Sequence, residues 1–307
     1  MRGCAMQGAA ELARRLGLRR AGRDWRGTCP ACGYGADAFT LSAGRNGQAV
    51  GWCASCQNRD AIADLLRADG PGAYAAAIAP SDTIKAEEAR RKAQERARII
   101  WSGAGPVTAD DPAGRYLARR ALANLIGCAA LRYRADVPHP AAQPGASRHP
   151  AMLALVQDAA GAPAAVHRSY LAQDGTKARL EPVKASLGPI WGGAIRLAPA
   201  AAHIVLGEGI ETSASAGLLL NLPAWAAISA GNLASGLILP PEVERVTIAA
   251  DDDGRNAQGK NPGLDAAEAA ARRWQAEGRA VRIIKPNTSG QDFNDILMAR
   301  EAGKAMA

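Results

Sequence analysis

Residues 203–211 read HIVLGEGIE, and residues 245–253 read RVTIAADDD. Each is a short aliphatic run that ends abruptly in carboxylates. Runs of this kind, without polar alternation, read as strands buried on both faces. What surrounds them alternates in type: TSASAGLLLN at 212–221 reads as a helix, PAWAAIS at 223–229 as a strand, LDAAEAAARRWQAEG at 264–278 as a helix, RAVRIIKP at 279–286 as a strand and DFNDILMAREA at 292–302 as a last helix. A β-α-β-α-β order of this length predicts a parallel, doubly wound α/β sheet. The carboxyl ends of such strands share one edge, and ligands bind along it. Three acidic groups are predicted to fall there: Glu208, between Gly207 and Gly209; Asp251, Asp252 and Asp253; and Asp292 with Asp295. The two glycines keep the turn around Glu208 open for close approach. An all-oxygen donor set suits Mg²⁺ or Mn²⁺. Glu211 and Asp265 have a simpler role, since acids in a first helical turn complement the helix dipole.

The chain has 307 residues, of which 48% are hydrophobic and only 4% aromatic. It is long enough for two or three domains, with cores built of small aliphatic side chains. A formal charge of +8 favours a polyanionic partner such as DNA or RNA. No stretch has the roughly 18–20 uninterrupted apolar residues of a membrane helix, and residues 1–10 lack a signal-peptide run, so a cytoplasmic protein is expected. No GxxxxGK[ST] loop is present, which excludes a helicase motor within this chain.

Cysteines stand at positions 4, 29, 32, 53, 56 and 128. Four of them form two CxxC pairs, Cys29–Cys32 and Cys53–Cys56. A two-residue gap lets both thiolates of a pair face one ion, and two such knuckles complete a tetrahedron with Zn–S near about 2.3 Å. With four protein ligands the zinc would be structural. Trp25, Arg26, Tyr34, Phe39, Arg45 and Trp52 lie around the knuckles. Aromatic rings among cations can stack on unpaired bases, with Trp25 and Arg45 as the candidate contacts. The other reading is that the rings pack the small ribbon core, with Phe39 and Trp52 as the core pair.

Between these two regions, residues 8–20 read as a basic amphipathic helix, residues 60–67 as a short helix and residues 81–100 as a solvated, charged helix. Residues 151–172 read as a hairpin turning at Gly161. The order Glu-Gly, then Asp-x-Asp, then Asp-x-Asn-Asp resembles the Toprim domain of bacterial primases, topoisomerases, OLD-type nucleases and RecR-type repair proteins. The resemblance makes Glu208, Asp251 and Asp253 the catalytic set and implies that they hold Mg²⁺ together with Asp292, the following acidic motif, and Asp295, its helper. It also implies that Glu208 acts as a general acid or base.

A cysteine ribbon ahead of such a core resembles DnaG-type and mobile-element primases, whose ribbon touches the single-stranded template. HRSY at 167–170, Lys177, Lys184 and GPIWGGAIRL at 188–197 resemble the basic part of the primase polymerase core. Arg168, Lys177 and Lys184 are the expected phosphate or nucleotide contacts. The expected layout is a zinc ribbon with flanking helices over 1–70, a charged helical linker over 71–104, a basic primase-core-like α+β region over 105–200 and a Rossmann-like Toprim domain over 201–307. The resemblance implies primer synthesis on single-stranded DNA from NTPs, on behalf of a phage, plasmid or integrated element, with any replicative helicase a separate partner. Two other outcomes fit the same motifs: a metal-dependent nuclease with water as nucleophile, or a non-catalytic DNA-binding mediator. The stretch GRNAQGKNPG at 254–263 departs from the compact loop of primases.

Overall fold

The computed structural model describes residues 3–30, 39–43, 49–53, 62–63, 66, 80–140, 147–252, 254, 261–288 and 290–305. Among the expected site residues, Cys32, Arg45, Cys56 and Asp253 lie outside the described residues, as do Tyr34 and residues 255–260 of the long loop.

The N-terminal unit begins with α1 (Gly3–Arg15), followed by β1 (Arg19–Ala21), β2 (Asp24–Gly27), β3 (Phe39–Ala43) and β4 (Ala49–Cys53) in one antiparallel sheet. The helix expected over 8–20 stops earlier. Gly17 takes φ +65°, its N–H bonds the Arg14 carbonyl, and the Leu18 N–H bonds the Ala13 carbonyl. That is a Schellman stop, which needs a residue tolerant of the left-handed region. Alternation along the strands then decides which side is wet. Trp25, Phe39, Leu41 and Cys53 point inward against Leu12 and Ala13 of α1, whereas Arg19, Arg26, Val50 and Trp52 point out.

The helix α2 (Pro80–Ser102) is solvated over residues 87–96 except for partial cover at Ala93, as its charge predicts, and buries Ala97 and Ile100 against Val137, Leu153, Val166 and Tyr170. After it come β5 (Gly105–Pro106), α3 (Pro112–Arg119), β6 (Leu131–Pro138), β7 (Arg148–Gln157), β8 (Pro163–Tyr170), β9 (Lys184–Leu187) and β10 (Ala194–Arg196). The β7–β8 pair is the expected hairpin, with Gly161 at φ +82°.

The C-terminal part runs β11 (His203–Gly207), α4 (Ile210–Leu220), β12 (Ala224–Ala226), β13 (Arg245–Ala249), α5 (Pro262–Ala276), β14 (Ala280–Ile284) and α6 (Phe293–Ala305). The order β14-β13-β11-β12 is parallel throughout. Successive residues of β11 enter opposite cores: Ile204 and Leu206 pack with Trp274 of α5, and Val205 packs with Ala216 of α4 and Phe293 of α6. This is why the run carries no polar alternation. Each fully buried aliphatic contributes about 1.5–3 kcal/mol.

The parallel strands do not end the sheet. β10 pairs antiparallel with β12 on one side and with β7 on the other. Parallel and antiparallel strands therefore form one mixed ten-stranded sheet, which extends the expected parallel sheet through the middle region.

Candidate functional site

Register places the acidic groups. Gly207 pairs with Ala249, and Ala249 with Ile284, so three strands end in one row. Glu208, Asp251 and Lys285 leave the sheet just past that row. The Asp251 carboxylate accepts a hydrogen bond from Thr212 Oγ1 at 2.9 Å, which ties the β13 exit to the first turn of α4. Gly263, at the start of α5, lies so close that a Cβ there would meet the Asp251 carbonyl at 2.5 Å. The Glu208 carbonyl accepts from the Ile228 N–H at 2.8 Å. Ile228 holds φ +76°, a costly conformation for a β-branched residue. Such strain is of order 1–3 kcal/mol and collects at functional sites.

Asp252 is turned away from Asp251. It is buried, accepts from Asn261 Nδ2 and Lys285 Nζ at 2.7 Å each, and these partners hold its carboxyl below the usual range. Asp292 and Asp295 serve α6. Asp292 accepts from the Asp295 N–H at 2.8 Å, and Asp295 accepts from the Asp292 N–H at 3.2 Å, a reciprocal capping box. Between them Asn294, fully buried, donates to the Arg120 carbonyl and to Ser215 Oγ, fastening α6 onto α4 and α3.

A second cluster stands against α4. Glu211 is not only a dipole partner: it is 8% exposed, accepts a hydrogen bond from the Tyr116 hydroxyl and pairs with Lys184 Nζ at 3.0 Å. Burial pushes its carboxyl up, but Lys184 and Tyr116 outweigh burial and hold it at about 2. Burial first, then the same negative charge, raises the Tyr116 phenol. Lys177 is pulled below the usual ammonium range by desolvation and by the like charge of Lys184. Desolvation, then Lys184, holds His167 neutral at about 3, with Nδ1 2.9 Å from Ser186 Oγ. Lys184 thus pairs with Glu211, Lys177 feels the charges of both and of Asp292, and the Arg120 guanidinium lies 5.6 Å from the centre of the Tyr116 ring.

Two expected contacts lie elsewhere. Arg168 is 5% exposed and donates to the carbonyls of Ala185, Pro138 and Ser186, so its charge supports backbone instead of meeting phosphate. Trp25 lies in the ribbon core under the Arg20 guanidinium, whereas Trp52, expected in that core, is 49% exposed. The parity of β2 and β4 relative to α1 sets this exchange.

Glu208 and Asp251 are hard oxygen donors on one edge and fit a Mg²⁺- or Mn²⁺-type ion. Among the described residues no group of three or more His, Cys, Asp or Glu side chains is gathered for a metal. In the ribbon, Gly27, Phe39 and Cys53 share one row across the sheet, and Cys29 follows two residues after Gly27. Both cysteines are buried, at the same end of the sheet, where thiolates suit zinc. Sequence reasoning missed Tyr116, Thr212, Asn261 and Lys285. Only Lys285, a cation just past the end of edge strand β14 and beside the acidic edge, left a readable signal.

Residues 203–303 match the sequence profile of the Toprim domain, and residues 91–197 match a domain of unknown function, DUF7146. A search of curated proteins returned no match. Among solved structures, the chain is similar to a DnaG primase catalytic domain bound to ssDNA, at 14% identity over 71% of this chain and 80% of that one, with a TM-score of 0.47. It is also similar to the zinc-binding and RNA polymerase domains of the Aquifex aeolicus primase, at 13% identity over 100% and 84%, TM-score 0.44. The primase fragment of the bacteriophage T7 primase-helicase matches at 14% identity over 92% and 98%, TM-score 0.41. No helix among the described residues is long and apolar enough to cross a membrane. The C-terminal third of the chain, with its aligned strand ends and acidic edge, is a Toprim-like α/β domain.

Proposed function

We propose that the protein is a primase-type nucleotidyltransferase that makes short primers on single-stranded DNA from NTPs. The observation that carries this reading is the shared strand edge. Glu208 and Asp251 follow the neighbouring strands β11 and β13 in a Toprim-like segment, and Lys184 pairs with Glu211 of the adjoining helix, with Lys177 near it. Glu208, Asp251 and Asp253 would hold Mg²⁺ or Mn²⁺, which when bound neutralises phosphate charge and activates a 3′-hydroxyl. The chain's own part is positioning and charge. Lys177 and Lys184 receive the nucleotide phosphates, Lys184 held in place by Glu211. Thr212 keeps the Asp251 carboxylate oriented. Asp292 and Asp295 fix the start of α6 beside the site.

The ribbon would contact the template. Arg19, Arg26, Thr40 and Trp52 align across four strands on its outer face. At about 4.8 Å per strand they span roughly 14 Å, a strip of cations ending in an exposed indole that suits unpaired bases. Cys29, Cys32, Cys53 and Cys56 would hold a structural zinc at the end of the same sheet.

The test is incubation with single-stranded DNA, Mn²⁺ or Mg²⁺ and labelled NTPs, beside an Asp251→Ala variant. Short labelled oligomers that vanish in the variant are expected. Metal-dependent shortening of the DNA without NTPs would replace this reading with a nuclease, and DNA binding without either product would make the domain a scaffold.

A further inference from the structure

The consecutive acids that follow β13 part company. The strand order is β14-β13-β11, so the exit of β13 has one neighbour on each side. Asp251 turns to the β11 side and bonds Thr212 of α4. Asp252 turns to the β14 side, where Lys285 stands one residue past Ile284. Both oxygens of Asp252 are engaged, Oδ1 by Asn261 and Oδ2 by Lys285. Its backbone carbonyl accepts from the Gly290 N–H at 3.0 Å, in the segment leading to α6. Asn261 in turn caps α5, its Oδ1 accepting from the Leu264 N–H at 3.4 Å. One buried carboxylate therefore ties together the exit of β13, the start of α5 and the exit of β14.

We propose that Asp252, oriented by Asn261, is a positioning residue that clamps the Lys285 ammonium away from Asp251 and the cation, and is not itself a metal ligand. This rests on the metal-dependent reading above. The Lys285 side chain is half exposed at an edge that must accept a cation. Pairing with Asp252 keeps that ammonium from repelling the cation or competing for Asp251. Neutralising Asp252 alone should therefore harm metal binding, and neutralising both partners should repair it. A ligand could not be repaired in this way.

The experiment is a Mn²⁺ titration of the full chain followed by electron paramagnetic resonance, with melting curves recorded in parallel. D251N, a ligand on this reading, should lose Mn²⁺. D252N, which frees the Lys285 ammonium beside the site, should weaken Mn²⁺ by about 10- to 100-fold, the usual cost of removing a partner that lies behind the ligands. The double variant D252N/K285M should recover most of that loss. Should D252N alone fail to fold, recovery of both melting and Mn²⁺ affinity in the double variant supports the clamp equally. If the double variant binds no better than D252N, or falls to the level of D251N, Asp252 is a ligand and the clamp is wrong. If the unsubstituted protein itself binds no Mn²⁺, the metal-dependent reading falls and the clamp falls with it.

Discussion

Glu211 shows how much one residue's surroundings can change its meaning. Its place in the first turn of α4 already suits a negative charge. Burial alone would make that charge costly, and the Tyr116 hydroxyl and Lys184 ammonium reverse the balance. Because the folded carboxyl is held at about 2, below its unfolded value, it contributes stability above the unfolded value. That contribution is lost as pH falls from about 4.5 through about 2. Lys184 is partly exposed and can rehydrate when its partner is gone. Glu211→Gln is therefore expected to lower the unfolding free energy by about 2 kcal/mol at neutral pH, read by urea denaturation. The gap between the two proteins should close as the titration is repeated toward pH 2. A gap that stays constant with pH would mean the carboxylate contributes shape and not charge.

At the scale of the element, the acidic pair at the start of α6 and the outer face of the ribbon make separate predictions. The reciprocal bonds of Asp292 and Asp295 satisfy backbone N–H groups that the helix itself leaves open. Asp292→Ala should cost about 1 kcal/mol of stability, and Asp295→Ala should leave Mn²⁺ affinity unchanged by the titration above. In the ribbon, Trp52→Ala removes an exposed ring from a folded sheet, so single-stranded DNA binding should weaken by about 1–3 kcal/mol with no change in melting. Trp25→Ala empties the interior between α1 and the sheet, and should melt the ribbon first. Fluorescence anisotropy with a labelled oligonucleotide, run beside thermal melting, distinguishes the two tryptophans. Equal effects on both readouts would remove the outer face as a binding strip.

At the scale of the molecule, the described residues form two sheets, each with its own core, that meet where Trp191 packs against the N-terminal one, and their supports should differ. The ribbon core holds few large side chains, including Phe39, Leu41 and Trp25, and two buried cysteines. The ten-stranded sheet is packed by four clusters of its own. On the proposal that its cysteines hold zinc, chelation is expected to unfold the N-terminal sheet and leave the large sheet intact. Hydrogen exchange would show protection lost over residues 19–27, 39–43 and 49–53 and kept over 203–249 and 262–284.

The parallel strands and the acidic edge were legible in the sequence, because each rests on short-range periodicity or spacing. HIVLG and RVTIA could only be strands buried on both faces, and parallel strands must end together. What the tertiary structure alone decided was which neighbour each side chain meets. Tyr116 reaches Glu211 across 95 residues of chain. Arg168 lies 30 residues from the Pro138 carbonyl that takes its charge inward, and β10 joins what looked like two regions into one sheet. Trp25 and Trp52 exchange their expected places because α1 covers one face of the ribbon. Asp251 and Asp252, alike in sequence, differ because β11 lies on one side of their strand and β14 on the other. Periodicity along a chain encodes faces and ends, whereas partners are set by packing between segments distant in sequence, which no local pattern contains.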